Sequence, residues 1–378
     1  MKIAVLTTDN REPYRQYGNP TPWFGTAPEA LLQGLAQLPE AEVHVVACTQ
    51  RPMVSSPEKL APNIFFHCLQ VPKIGWGRTL FQGCVRATRK KLREIRPDIV
   101  HGQGTERDCA LSAVFSGYPN VLTIHGNMRL VAKVEKAMYW KIVARLEAFV
   151  LPRSAGVVCI SNYTRNAVAG LAKKTWVVPN AADAGFFEIK NQPSLPPIIL
   201  CIGFISVRKN QNAFIRALDP LAAGRKFRLV FIGGFAEGHP YSREFFELLK
   251  TRAWCEHVNF MPHAALKAHL SNATLVALPS LEDNCPMAVL EGAAAGVPAV
   301  AANVGGVPDL IEDGKNGLLC DPQNAASMRN AVEKILERPE LAKALATEAH
   351  RRAKARFHPA VVARRHLEIY REVLNARS

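Results

Sequence analysis

Val276–Gly306, VALPSLEDNCPMAVLEGAAAGVPAVAANVGG, reads as a strand, an acidic loop, a helix, a second strand and a Gly-Gly turn. Val276 to Leu278 has the unbroken apolar character of a buried parallel strand. Pro279 and Ser280 end it, and Leu281 to Cys285 form a short polar loop. Pro286 suits the first turn of a helix, where a missing N–H costs nothing. Met287, Val289, Leu290, Ala293 and Ala294 then share one helix face, which Glu291 interrupts, carrying an acid inward about one turn from the helix start. Unbonded N–H groups at such a start favour an anion. An anion with a carboxylate just behind it suits a phosphate with a sugar attached.

Outward from this stretch, short β-like runs alternate with helical patterns, the signature of parallel α/β sheets. In the first half the strands are expected at Ile3–Leu6, Val43–Ala47, Ile99–Val100, Val121–Ile124, Val157–Ile160 and Trp176–Val178. Helices are expected at 27–38, 79–95 and 131–150. Phe186–Pro197, FFEIKNQPSLPP, holds three prolines and breaks the pattern as a linker. The alternation restarts at Ile198–Ile202 and continues at Leu229–Ile232, Val258–Phe260, Leu275–Leu278, Ala299–Ala301 and Leu318–Leu319. Two doubly wound domains in tandem are expected, with a cleft between them as the default ligand site.

The chain has 378 residues, enough for two such domains; 48% are hydrophobic and 21% charged, a globular composition. No apolar run reaches the roughly 20 residues of a membrane span. MKIAVLTTDN reads as a first strand and not as a signal peptide. The nine cysteines are scattered, odd in number and never spaced C-x-x-C, which argues for reduced thiols in a cytoplasmic protein, with no zinc site and no disulfide frame. No G-x-G-x-x-G follows either opening strand, which speaks against a nicotinamide-dependent dehydrogenase. The net charge of +15 calls for an anionic partner. No aromatic stacking platform or recognised module points to nucleic acid.

Several residues carry two readings. Asp283 and Glu291 can accept sugar or ribose hydroxyls, or serve as a capping Asp and a surface Glu. Arg208 and Lys209, in GFISVRKN, stand where a strand end can neutralise a diphosphate, or form a solvated basic pair. His125 closes VLTIH and His101 closes DIVH; each is a cleft group or a histidine bonded to backbone. Gly25 can bring backbone N–H groups close to a phosphate, with Trp23 and Phe24 lining a cleft or packing beside it. Gly305-Gly306 is a close-approach turn or a plain one. Cys285 reads as a small core residue more readily than as a nucleophile. The run Arg86–Arg96 places basic residues on one helix face, as a docking surface for anionic lipid or as a soluble face of high charge.

Taken in order, DIVHGQG, VLTIHG, CISNYTR, VVPNAAD, GFISVRKN, VNFMPH, PSLEDNCPMAVLEGAAAGVPAVAANVGGVPDLI, GKNGLL and the closing RFHPAVVARRHLEIYREVL resemble the retaining glycosyltransferases of family 4, or group 1. The resemblance runs over nearly the whole chain. It implies the GT-B fold, two Rossmann-like α/β domains facing across a cleft: an acceptor-binding domain 1–185, a linker 186–197, a donor-binding domain 198–357 and a helix 358–378 crossing back. It implies transfer of a sugar from a nucleotide diphosphosugar to an acceptor hydroxyl of a polysaccharide, lipopolysaccharide or lipid-linked glycan. By the same resemblance His125, Lys209 and Asp283 are catalytic, with Lys209 on the diphosphate and Glu291 on the ribose. Gly25, Asn180, Gly203, Arg208, Asn284, Cys285, Met287 and Ala288 complete the donor contacts. No metal or cofactor is implied, and the leaving phosphate itself takes the acceptor's proton. Three departures bear on the sugar end: Phe204 replaces a diphosphate arginine, Asp283 replaces a glutamate, and Pro286 removes one N–H donor. The expected partners are thus a nucleotide sugar, a glycan acceptor and an anionic membrane met through Arg86, Arg89, Lys90 and Arg93. A nucleotide-sugar epimerase of the same fold and a non-catalytic basic binding module are the alternative functions.

Overall fold

A computed structural model describes residues 1–54, 56–134 and 137–376. The chain divides into two units, Met1–Ala181 with Pro359–Ser378, and Ala182–His358.

In unit 1 the strands are β1 Lys2–Leu6, β2 Glu42–Thr49, β3 Lys59–Ala61, β4 Ile64–Gln70, β5 Ile99–Gln103, β6 Asn120–Ile124, β7 Val157–Cys159 and β8 Thr175–Val177. They form one sheet in the order β3-β4-β2-β1-β5-β6-β7-β8, parallel except for the β3–β4 edge pair. The helices between them are α1 Thr26–Ala36, α2 Gln82–Ile95, α3 Cys109–Val114, α4 Met128–Val134, α5 Met138–Val150 and α6 Asn162–Ala167. One core gathers Ile3, Val43, Val45, Leu35 and Ile99, and a second gathers Ala4, Leu6, Val100, Leu92 and Leu122. Alternate residues of β1 and β5 fall in different cores, so helices cover both sheet faces and the strands read as continuous apolar runs.

In unit 2 the strands are β9 Ile198–Ile202, β10 Arg228–Ile232, β11 Cys255–Val258, β12 Leu275–Leu278, β13 Ala299–Ala302 and β14 Leu318–Cys320, all parallel, in the order β11-β10-β9-β12-β13-β14. The helices are α7 Gln211–Gly224, α8 Pro240–Lys250, α9 His263–Ser271, α10 Met287–Ala294, α11 Ala325–Glu337 and α12 Pro339–Arg356. A last helix, α13 Pro359–Asn375, belongs to unit 1, where it packs on α1. A Cβ at Gly34 would lie 2.1 Å from the Pro359 carbonyl oxygen, so the two helices meet backbone to backbone there.

Four expectations need correction. Residues 186–197 do not stand apart as a linker: they belong to unit 2, where the Asn191 amide donates to the Leu270 and Ala273 carbonyls. β11 covers Cys255–Val258 instead of Val258–Phe260, because it is an edge strand and tolerates Glu256 and His257; Phe260 lies beyond it, exposed. β4 was not expected, although Ile64 and Phe66 alternate with Phe65 and His67. The helix expected over 131–150 is two helices, α4 and α5, and residues 135 and 136 lie outside the described residues. Among the described residues no helix is long and apolar enough to cross a membrane. All nine cysteines are free thiols.

Candidate functional site

In unit 2, β9 and β12 are sheet neighbours, so the loops after their carboxyl ends meet although 74 residues separate them in sequence. The Leu281 N–H donates to the Arg208 carbonyl at 2.8 Å and fixes the two loops to each other. Across this join Lys209 Nζ lies 2.6 Å from Asp283 Oδ2, with both side chains largely buried. Ser280 Oγ donates to the same oxygen at 3.2 Å. Gly203, at φ 153°, packs on the aliphatic stem of Lys209: a Cβ there would lie 3.4 Å from Lys209 Cε. Arg208 donates through Nη1 to the Glu282 carbonyl at 3.0 Å and stands 3.7 Å from Asp283 Oδ1. It remains half exposed, whereas Lys209 is held close.

The Gly-Gly turn has a steric reason. Gly305 adopts φ 54°, and a Cβ on it would lie 2.0 Å from the Asp283 carbonyl oxygen. The Gly306 N–H donates to that oxygen at 2.9 Å. Any side chain at Gly305 would displace the backbone that carries Asp283.

α10 follows. Pro286 is its N-cap and offers no side-chain cap, so the N–H groups of Met287 and Ala288 sit in a first turn that lacks acceptors one turn earlier. Pro286 therefore lies just before the helix and not inside its first turn. Asn284 is partly exposed in the loop, and Cys285 is buried beside Pro286, as a core thiol would be.

Glu291 is buried on α10. Burial, with a smaller contribution from the Asp183 charge, pushes its carboxyl up to about 7. His263, at the start of α9, places Nε2 3.6 Å from Glu291 Oε1. Asp183 accepts from the Gly185 N–H and pairs with Lys267 at 3.4 Å, and Phe186 packs edge-on against His263. The sequence reading assigned no role to Ser280, Glu282, Asp183 or His263, although all four lie in the motifs that carry the family resemblance. Phe204, at the place of the missing arginine, is half exposed at the end of β9.

In unit 1, His125 follows β6, and its Nε2–H donates to Gln103 Oε1 at 2.8 Å; its side chain also bonds Asn180. Burial and the neighbouring His366 pull the His125 imidazole down to about 4, so it is neutral at pH 7. A small pocket is lined by Gln103, Thr123, His125, Asn180 and His366, with Leu31 of α1 among its apolar walls. His101 was expected to close its strand and does not, because β5 continues to Gln103. It is fully buried, with Nδ1 2.6 Å from the Tyr370 hydroxyl and Nε2 2.7 Å from Thr123 Oγ1. Gly25 is the N-cap of α1, beside Asn10. Trp23 stacks obliquely with Tyr14, and Phe24 is buried against Phe66.

Cys48 Sγ, Cys84 Sγ and a carboxylate oxygen of Asp108 lie within 4.8 Å of one another, which spacing in the sequence did not show. A hydrogen bond with Cys84, then burial, pushes the Cys48 thiol well up, and burial raises Asp108. The trio rests as a hydrogen-bonded cluster inside unit 1.

The model of glycosyl transferases group 1 matches residues 185–352, and that of glycosyltransferase family 4 matches residues 29–186. The chain belongs to the group 1, family 4 glycosyltransferases. This glycosyltransferase is 27% identical to the glycogen synthase of Mycobacterium tuberculosis over 317 residues, 79% of this chain and 75% of that protein. It is 32% identical to the alpha-D-kanosaminyltransferase of Streptomyces kanamyceticus over 47% of this chain and 46% of that one. Among solved structures it resembles sucrose-phosphate synthase of Thermosynechococcus elongatus, with a TM-score of 0.79 at 19% identity over the whole of both chains. Anabaena HepE gives a TM-score of 0.71 at 18% identity, over 98% of this chain and all of that one. These likenesses place the glycosyltransferase among GT-B folds.

Proposed function

We propose that this glycosyltransferase transfers a sugar, with retention, from a nucleotide diphosphosugar to an acceptor hydroxyl of a polysaccharide, lipopolysaccharide or lipid-linked glycan. The observation that carries the reading is the meeting of Lys209, Arg208 and Asp283 at the ends of β9 and β12, on the loop that leads into α10. The barrier to transfer is departure of the nucleoside diphosphate. Lys209, Arg208 and the first-turn N–H groups of Met287 and Ala288 stabilise the charge that develops on it. Asp283 pairs with Lys209; an arriving diphosphate takes over that cation and releases Asp283 towards hydroxyls of the sugar. Glu291, once ionised, accepts the ribose hydroxyls. Gly203, Asn284 and Cys285 shape the same site with backbone and small side chains. His125 and Asn180 in unit 1 supply neutral hydrogen-bonding groups, and Gly25 opens α1, whose Ala27 and Leu31 line the same pocket. No side chain is assigned as general base, since the leaving phosphate takes the proton. No metal is assigned either, because two cations and a helix start suffice to neutralise a diphosphate.

Relatives and neighbours of stated specificity support the donor class. Anabaena HepE is described in complex with UDP and with UDP-glucose, and a relative in Mycolicibacterium smegmatis is named as a GDP-mannose-dependent mannosyltransferase. A thermal-shift panel over uridine, guanosine and adenosine diphosphosugars tests the donor, because a bound ligand stabilises the native state. The product's anomeric configuration, read by NMR, tests retention. Epimerised donor in the absence of acceptor would replace the transferase reading.

A further inference from the structure

Helix α5 is apolar on two opposite sides. Val143, Glu147 and Val150 face the interior of unit 1. Met138, Ile142, Arg145 and Phe149 recur at i, i+4, i+7 and i+11, which at 100° per residue puts all four within one narrow stripe. That stripe faces outward: Met138 is 64% exposed, Ile142 37% and Phe149 41%. Phe115, just past α3, is 39% exposed and stacks with Phe149 at 6.1 Å, extending the patch onto the next helix. Contiguous exposed apolar patches of this kind mark interaction surfaces.

The charges around it name the partner. Lys141 and Arg145 are exposed on α5, and the Arg153 guanidinium lies over the Phe149 ring at 3.7 Å. α3 packs on both α5 and α2, so the three helices form one layer on the same sheet face. On α2, Cys84, Val85, Leu92 and Ile95 face inward, and Arg86, Arg89, Lys90 and Arg93 are exposed. The short helical turns leading into α2 add exposed Ile74 and Leu80, flanked by Lys73 and Arg78. Among the described residues of α2, α3 and α5, the acidic side chains are few. Glu147 and Asp108 are buried, and Glu94 is paired with Lys91 at 2.5 Å.

We infer that the outer face of α5, with Phe115 and the cationic face of α2, docks on an anionic lipid bilayer, the apolar stripe entering the headgroup boundary and the cations meeting lipid phosphates. An acidic protein would explain the cations, but not why aromatic and aliphatic side chains are interleaved with them along a flat three-helix layer. Lipid offers both chemistries across its whole surface. The expected docking face was α2 alone; α5 supplies the apolar half that α2 lacks. The inference does not depend on the donor site, which lies in unit 2.

Flotation of the full chain with vesicles of phosphatidylcholine, alone or mixed with phosphatidylglycerol, tests it. The mixed vesicles should bind about tenfold or more tightly, and raising salt from about 0.1 M to 1 M should weaken binding as the screening length shortens. Ile142→Ser with Phe149→Ser should lower the partition about tenfold while leaving the melting temperature and the salt dependence in place. Replacing Arg86, Arg89, Lys90 and Arg93 by Ser should instead abolish the preference for anionic vesicles. Nucleoside diphosphate binding, followed in the same samples, should not change in either variant, so a failed donor site and a failed docking face are separable. Equal partition onto both vesicle types, or no effect of the α5 double variant, overturns the proposal. A wild-type dimer that the double variant converts to monomer, without vesicle binding, would assign the stripe to a second copy of the chain.

Discussion

Unit 1 joins His101, Gln103, Thr123, His125 and Tyr370 by hydrogen bonds, with His366 stacked on His101 and no formal charge on these groups at pH 7, whereas unit 2 holds the Lys209–Asp283 ion pair with Arg208 beside it, and a proton-holding Glu291 near His263. The first sits along β5 and β6 and against α13; Arg208, Lys209 and Asp283 of the second lie past the carboxyl ends of β9 and β12. The difference teaches what each is suited to hold. Neutral donors and acceptors fit hydroxyls; cations that already have an internal counter-anion fit an anion able to displace it. The opposite pKa displacements make the contrast measurable, since burial keeps the histidines deprotonated and Glu291 protonated.

The largest expected effect comes from breaking the ionic side. Lys209→Ala should lower kcat by about 10²–10³-fold, the range for losing one preorganised donor to developing charge. Asp283→Asn should tighten binding of a nucleoside diphosphate, by freeing Lys209, while transfer falls. If nucleotide binding in isothermal titration stays the same in both variants, Lys209 and Asp283 do not compete with a phosphate.

Next is Glu291. Its folded carboxyl, pushed up to about 7, holds a proton that the unfolded chain has released, so between the ordinary value of 4.5 and about 7 stability falls as pH rises. Above pH 7 the cost is fully present, about 3 kcal/mol. Glu291→Gln should therefore raise the unliganded melting temperature at pH 8 and make little difference at pH 4.5. It should also weaken donor binding, because a carboxylate is lost to the ribose. Wild-type donor affinity should decline as pH falls below 7, with proton release on binding detectable in buffers of different ionisation enthalpy.

Unit 1 should respond in the opposite sense. His125 and His366 are each pulled down to about 4 by burial, so the native state resists protons that the unfolded chain takes up below about 6.5. Stability should fall as pH drops from 6.5 to 4, by as much as about 3 kcal/mol for each histidine if they titrate independently. Hydrogen exchange of β5 and β6 at the two pH values checks this. The smallest effect expected is that of Tyr370→Phe, about 1 kcal/mol for the hydroxyl that meets His101. Denaturant unfolding would measure it, and no loss at all would mean that water replaces the hydroxyl.

What could be read from the sequence followed the range of the interactions. β1, β6, β9 and β12 declared themselves by local apolar runs, and α10 by Pro286 and the spacing of its apolar face. β11 was misplaced because an edge strand carries less of that signal. In the site, Lys209 and Glu291 were legible as types in a motif. Their states were not: the Lys209–Asp283 pair depends on β9 lying beside β12, and the raised Glu291 carboxyl depends on what surrounds α10. The partnership of His101 with Tyr370 spans 269 residues and had no local sign at all.

That long span also bears on the order in which the molecule can be built. α13 supplies Val362, Ala363, Leu367, Ile369, Tyr370 and Val373 to the core of unit 1. As the chain leaves the ribosome, residues 1–181 emerge with this apolar socket vacant. All of unit 2 is then synthesised before the missing helix appears, an interval of roughly 10–40 s at typical elongation rates of 5–20 residues per second. Unit 2 can close as soon as its own residues are out, but unit 1 must wait. The first part of the protein to be made is the last to be finished, and during that wait it is the part that a chaperone has reason to hold.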